Sequence, residues 1–268
     1  MDINELRKKP HLSVSGINDY LDCGLLYRFS RIDYVKPEFR ADSLVFGNVI
    51  HKVMSEFHQE RMIGGIMPLK EMQQLFEVYW IDAAESKTDI KYSKGKNCDT
   101  LLKDGKALLT AYYKSIPSDD FRILAIEEPF SFTIENLPVP IIGVIDLVEE
   151  DEETIIISDL KTSSKAYSTS DIDKKMQLTV YQMAAKRNGY INKEILLRFD
   201  VLIKTKQPKF EPYYTVRTEA DERRAIKKIL KVYEGISKGV FIPNDTSWKC
   251  TNCSYKNHCN DWFEKRGD

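Results

Sequence analysis

Read for the spacing of its apolar residues, the chain divides into three stretches. From Ser13 to Phe29, SVSGINDYLDCGLLYRF, a serine start signal precedes apolar or aromatic side chains at Ile17, Tyr20, Leu21 and Leu25, which predicts a helix. Phe46, Val49, Ile50, Val53, Met54 and Phe57 form one stripe at the same period, ended by Gly64, Gly65 and Pro68. Two further helices are expected over 69–84 and 100–114, and Pro117 with the Ser-Asp-Asp turn after it closes the helical third. The middle changes to β-branched and aromatic runs. The segments 121–134, 139–149 and 154–160 read as three strands of a meander. A helix over 170–186, strands over 195–204 and 210–216, and a Thr218-capped helix to Gly235 follow, and from Pro243 the chain reads as loop. Strands enclosed by helices predict an α/β (α+β) fold with a central mixed sheet and a helical N-terminal part. One domain is expected over 1–268, made of helices over 1–117, a sheet core over 118–240 and a tail over 241–268.

Composition narrows the class. The chain has 268 residues and a formal net charge of −1, so its overall field does not announce a polyanionic partner. No run of about 18 apolar residues is present and MDINELRKKP lacks an apolar signal core, so no membrane span or secretory signal is expected, and the expected location is the cytoplasm. Five cysteines, an odd number for a reducing compartment, point to metal or free-thiol roles rather than disulfides.

The candidate chemistry lies where the strands carry charge. IIISDLKTS, residues 155–163, places Asp159 and Lys161 on one face of an otherwise buried strand, because side chains alternate with period two. Asp146 stands inside the apolar strand IIGVIDLVEE. If the two strands pair as a hairpin around Glu149–Glu153, residues whose numbers sum to about 303–305 face each other, and Asp146 meets the neighbourhood of Asp159. Two such carboxylates repel unless a hard cation such as Mg²⁺ or Mn²⁺ joins them. Lys161 would then lie near water activated by that metal, an arrangement suited to phosphodiester hydrolysis.

The stretch GVIDLVEEDEETIIISDLKTS resembles the core motif of the PD-(D/E)XK nuclease superfamily, in its RecB-like branch. Other segments resemble that branch's motifs in order. FGNVIH points to His51 as a metal ligand beside Asp146 and Asp159; EEPFSF points to Glu127, with Glu128 adjacent; QLTVY points to Gln177 and Tyr181, four residues apart and so on one helix face. The resemblance implies a restriction-endonuclease-like core, with Asp146, Asp159, Lys161, Glu127, Gln177 and Tyr181 in the catalytic site.

CTNCSYKNHC sets Cys250, Cys253 and Cys259 in a C-x₂-C-x₅-C pattern, and soft thiolates so spaced select zinc or an iron–sulfur cluster. By chemistry the fourth ligand is open among His258, Cys98 and Cys23. The resemblance to cluster-bearing RecB-like nucleases, such as AddB and those of CRISPR adaptation, implies Cys23 and a 4Fe-4S cluster in the tail, with zinc as the alternative occupant and Cys98 free. In those relatives the cysteine near the N-terminus is commonly followed by proline; here Gly24 follows it. No phosphate-binding loop of a motor protein is present. The expected function is therefore a metal-dependent exonuclease acting on DNA ends or single strands, with DNA as partner and any helicase a separate protein. The rival is a DNA-end or partner-binding module without turnover.

Overall fold

A computed structural model of the chain describes residues 2–85, 89–116 and 121–265. The turn expected at Pro117 lies outside them. The order begins with helices α1 (Ile3–Arg7), α2 (Val14–Asp22) and α3 (Gly24–Arg31), a short strand β1 (Arg40–Ala41), then α4 (Asp42–Met62), α5 (Leu69–Glu85), β2 (Ile90–Lys91) and α6 (Cys98–Lys114). Strands β3 (Arg122–Phe132), β4 (Ile141–Glu150) and β5 (Thr154–Ser163) follow, then α7 (Thr169–Lys174), α8 (Met176–Arg187), β6 (Glu194–Ile203), β7 (Lys209–Thr215), α9 (Glu219–Ser237) and α10 (Lys256–Glu264).

Five strands form one mixed sheet in the order β3-β4-β5-β6-β7. The meander β3-β4-β5 is antiparallel; β6 lies parallel to β5 after the α7–α8 crossover, and β7 returns antiparallel. Leu147 pairs with Ser158 and Val148 with Ile157, the register expected from the hairpin sum. Apolar layers cover both faces. Ile17, Leu178, Val180, Ile229 and their neighbours pack α2, α8 and α9 on one side, while Phe46, Ile50, Phe57, Phe76, Trp80 and Leu108 pack α4, α5 and α6 on the other. Burial of each such side chain contributes roughly 1.5–3 kcal/mol, so this two-faced core fixes the ends of β4 and β5.

Three expected elements change at points set by tertiary contacts. The first helix breaks at Cys23, whose extended backbone ends α2 and starts α3. Gly24 N–H donates to Ile242 O at 2.9 Å, and a Cβ on Gly24 would meet Ile242 N at 2.7 Å. A proline there has no N–H to give, so this backbone seam accounts for glycine at the position. The helix expected over 170–186 is broken at Lys175 (ψ 114°), which restarts it with Gln177 in the first turn of α8. The tail expected as loop contains a 3₁₀ turn, Trp248–Asn252, and α10. Among the described residues no helix is long and apolar enough to cross a membrane.

Candidate active site

Strand β5 carries the central carboxylate. Asp159 is 1% exposed, and its Oδ1 accepts from Gln177 Nε2 at 2.6 Å and Tyr181 OH at 3.2 Å. Lys161 Nζ lies 2.5 Å from Oδ2, an ion pair that makes the ammonium the partner of that buried oxygen. Gln177 also donates to Tyr181 OH at 3.1 Å, so the two helix residues act as one bracket on Asp159. On β4, Asp146 Oδ2 accepts from Leu160 N at 2.9 Å, which draws its carboxylate to the middle of the Asp159–Lys161 segment, and His51 Nδ1 of α4 stands 3.5 Å from the same oxygen.

Charge is crowded here. Burial first, then the charge of Asp159, pushes the Asp146 carboxyl up, with Glu127 adding to the repulsion. Burial lowers His51. For Lys161 burial works against the ammonium, yet Asp159 and Asp146 more than offset it and hold its pKa raised. Burial, then Asp159, keeps the Tyr181 phenol protonated well beyond its ordinary range. Carboxylates that repel each other in a buried site, beside an imidazole, are the chemistry a hard divalent cation satisfies. The side chains are held by one another instead: among the described residues no three of His, Cys, Asp and Glu are drawn together as metal ligands.

The two adjacent glutamates part ways. Glu127 lines a small cavity of about 30 Å³ with His51 and Asp146, and its backbone sits at φ +49°, in the left-handed region that ordinary residues avoid and that clusters at functional sites. Glu128 faces elsewhere, accepting from Asn188 at 3.1 Å and Tyr190 at 3.0 Å.

Behind the carboxylates the same cavity is lined by His58, Ser158 and Asp200, which sequence reading missed. Arg198 Nη2 donates to Glu149 at 2.6 Å and to Asp200 at 2.9 Å, a buried ion group spanning β4 and β6 across Ser158. Signals existed: His58 follows His51 by seven residues, two helical turns on one face, and Arg198 and Asp200 alternate within an apolar strand. Burial pushes His58 down to about 3, whereas an unfolded histidine titrates near 6.5. As pH falls through 6.5 the unfolded chain takes up the proton first, so stability present above that pH is lost on the way to 3. Between pH 7 and 5 this single group should cost about 2 kcal/mol. His58→Gln should flatten that part of the urea-unfolding midpoint against pH, and an unchanged slope would contradict the assignment.

In a separate small apolar cluster Cys23, Cys253 and Cys259 pack against Leu25, Phe29 and Tyr255. Asn244 ties Cys23 to Cys250: its N–H points to Cys23 Sγ at 3.4 Å and its carbonyl accepts from Cys250 Sγ at 3.1 Å. Burial, then the neighbouring thiols, raises the thiol pKa of Cys259; burial likewise raises that of Cys253, where Cys250 and Cys23 add to the effect. The four tail-site cysteines thus share one region, though not as a formed ligand set. Cys98 packs instead against the α4–α6 core, and His258 lies tilted beside Phe29, ring centroids 6.2 Å apart.

Comparison with known proteins fits this arrangement. No curated protein matches the chain. Among solved structures, that of a "putative exonuclease" from Eubacterium rectale superimposes with a TM-score of 0.54 at 11% identity, over 90% of this chain and 87% of the other, which shows a shared fold. The structure of SSO0001 aligns at 13% identity over 91% and 94% of the two chains with a TM-score of 0.31, too low to bear on the fold. The model of the PD-(D/E)XK nuclease superfamily matches residues 11–260. With its mixed sheet, facing aspartates on adjacent strands and Asp-x-Lys triplet, this chain belongs to the PD-(D/E)XK nuclease superfamily.

Proposed function

We propose that the protein is a single-domain, divalent-metal-dependent DNA exonuclease acting at DNA ends or on single strands. The observation that carries the reading is the convergence of Asp146, Asp159 and Lys161 where the β4–β5 pairing parts, bracketed by Gln177 and Tyr181. Asp146, Asp159 and His51 are the residues to hold Mg²⁺ or Mn²⁺, with Glu127 beside them. Such an ion, when bound, lowers the pKa of water and offsets phosphate charge. The chain's own contributions are separable. Gln177 and Tyr181 fix the Asp159 carboxylate in one orientation, leaving its second oxygen for a cation or Lys161. Lys161, kept protonated by Asp159, supplies positive charge to the non-bridging phosphate oxygens as the P–O bond to the attacking oxygen forms and the bond to the leaving oxygen breaks.

Cys23, Cys250, Cys253 and Cys259 are assigned to a 4Fe-4S cluster, with zinc as the other occupant their chemistry allows. Burial, and then the charge of neighbouring cysteines, disfavours thiolates at Cys253 and Cys259, and a bound metal centre would offset that cost. The cytoplasm is the compartment in which such thiols stay reduced, and a helicase would be a separate companion. A cleavage assay with labelled single-stranded DNA tests the reading. With Mg²⁺ or Mn²⁺ the free-ended strand should be degraded, and blocking both ends should slow degradation at least about tenfold. Metal-dependent cutting of end-blocked DNA at the same rate would make the enzyme an endonuclease, and binding without any cutting would favour a DNA-end-binding module.

A further inference from the structure

A groove of about 930 Å³ runs from α1–α3 across β4 to Gln177 and Tyr181, the pair that holds Asp159. Its lining is one-signed. Arg7, Lys8, Lys9 and Arg31 border it, and among the described residues no aspartate or glutamate lines it, although the chain as a whole is at −1. Lys8 is engaged by Glu5 and Arg31 by Asp19, whereas Arg7 and Lys9 have no carboxylate partner among the described residues. Hydroxyls of Ser13 and Ser15 stand beside them, and Tyr34, 81% exposed, borders the same groove. Cations, hydroxyls and an open aromatic ring in sequence are the means by which proteins hold a single nucleic-acid strand without reading its bases. The volume suits a few nucleotides of one strand and is too small for a duplex.

We propose that this groove is the track for one DNA strand, with Arg7 and Lys9 on its phosphates and Tyr34 stacked on a base, delivering the strand to the Asp159 centre. The inference rests on the nuclease reading above and deepens it by naming the substrate form. Its test is fluorescence anisotropy of the full chain with a labelled twelve-nucleotide oligothymidylate, in EDTA to prevent cutting, at several salt concentrations. For Arg7→Ala with Lys9→Ala, both exposed, Kd should rise at least about fivefold, and the dependence of log Kd on log salt should lose about 1.4 of its slope, as expected for two phosphate contacts on single strands. Tyr34→Ala should raise Kd with the slope intact. Unchanged Kd and slope in all variants would overturn the groove while leaving the nuclease reading standing. Hydrolysis of thymidine 5′-(p-nitrophenyl phosphate), too short to span the groove, separates the two further. The double variant should keep the wild-type rate on it with Mn²⁺ and lose rate only on the oligomer; equal loss on both would place Arg7 and Lys9 outside a strand track. If the wild type cuts neither substrate, the nuclease reading fails, and the anisotropy slope still decides the groove.

Discussion

Asp159→Asn is expected to fold as the wild type does and to lose at least about a thousandfold in the rate of DNA cleavage with Mg²⁺. The substitution keeps an acceptor for Gln177 and Tyr181 at nearly unchanged size, so the bracket on α8 has something to hold. It removes the negative charge that a cation needs and that keeps Lys161 charged. Loss of one preorganised charge stabiliser in a water-poor site costs about two to three orders of magnitude in rate, and here the ligand and the partner of Lys161 go together. Lys161→Ala should fall as far, leaving the sheet intact because the lysine side chain is 28% exposed and closes no core contact. Single-turnover cleavage read beside far-ultraviolet circular dichroism checks both variants. Either one cutting at the wild-type rate would remove these two residues from the chemistry.

The second large effect concerns stability. Cys253→Ser should abolish the visible absorbance of the purified protein and lower its thermal midpoint by several degrees. Cys23 and Cys250 are 227 residues apart (250 − 23), and a ligand set that closes so long a loop removes much of the unfolded chain's freedom. The tail's other ties are modest: a small apolar cluster around Leu25, Phe29 and Tyr255, the Gly24–Ile242 and Glu38–Ser254 backbone bonds, Asn244 on Asp22 and Cys23, Phe241 against Tyr20 and Tyr27, the Lys249–Asp22 contact at 2.5 Å, and Asn257 bonded to Glu38. The same substitution at Cys98, packed in the other core, should leave the absorbance unchanged. Elemental analysis divides the occupants. Iron with sulfide supports the cluster, zinc without colour supports the alternative, and a metal-free protein of unchanged midpoint in Cys253→Ser would sink both.

What the sequence disclosed was whatever a local period or cap encodes. Asp146, Asp159 and Lys161 could be placed together because β-pairing has a fixed arithmetic, and the register Leu147 to Ser158 follows it. Thr218 caps α9 as its type and position announce. The breaks at Cys23 and Lys175 were invisible because neither residue is a breaker. A distant backbone carbonyl at Ile242 makes the first of them, and the second leaves Gln177 within reach of Asp159. Choosing Glu127 or Glu128 for the cleft needed the left-handed twist of one residue, which no periodicity carries. The Arg198–Glu149–Asp200 group needed three strands in register at once. Short α10 has nine residues and too little length for a period to stand out, and it is held by contacts with residues more than two hundred positions away.

The seam between Gly24 and Ile242 also sets a timetable for the molecule's birth. During synthesis α2 and α3 leave the ribosome well before their partner, because the carbonyl that receives Gly24 N–H arrives 218 residues later (242 − 24). At about 5–20 residues per second that is a wait of roughly ten to forty seconds, during which Leu25 and Phe29 have no cover from the tail. The apolar face of α3 therefore stays uncovered through that wait, a surface a chaperone can shelter.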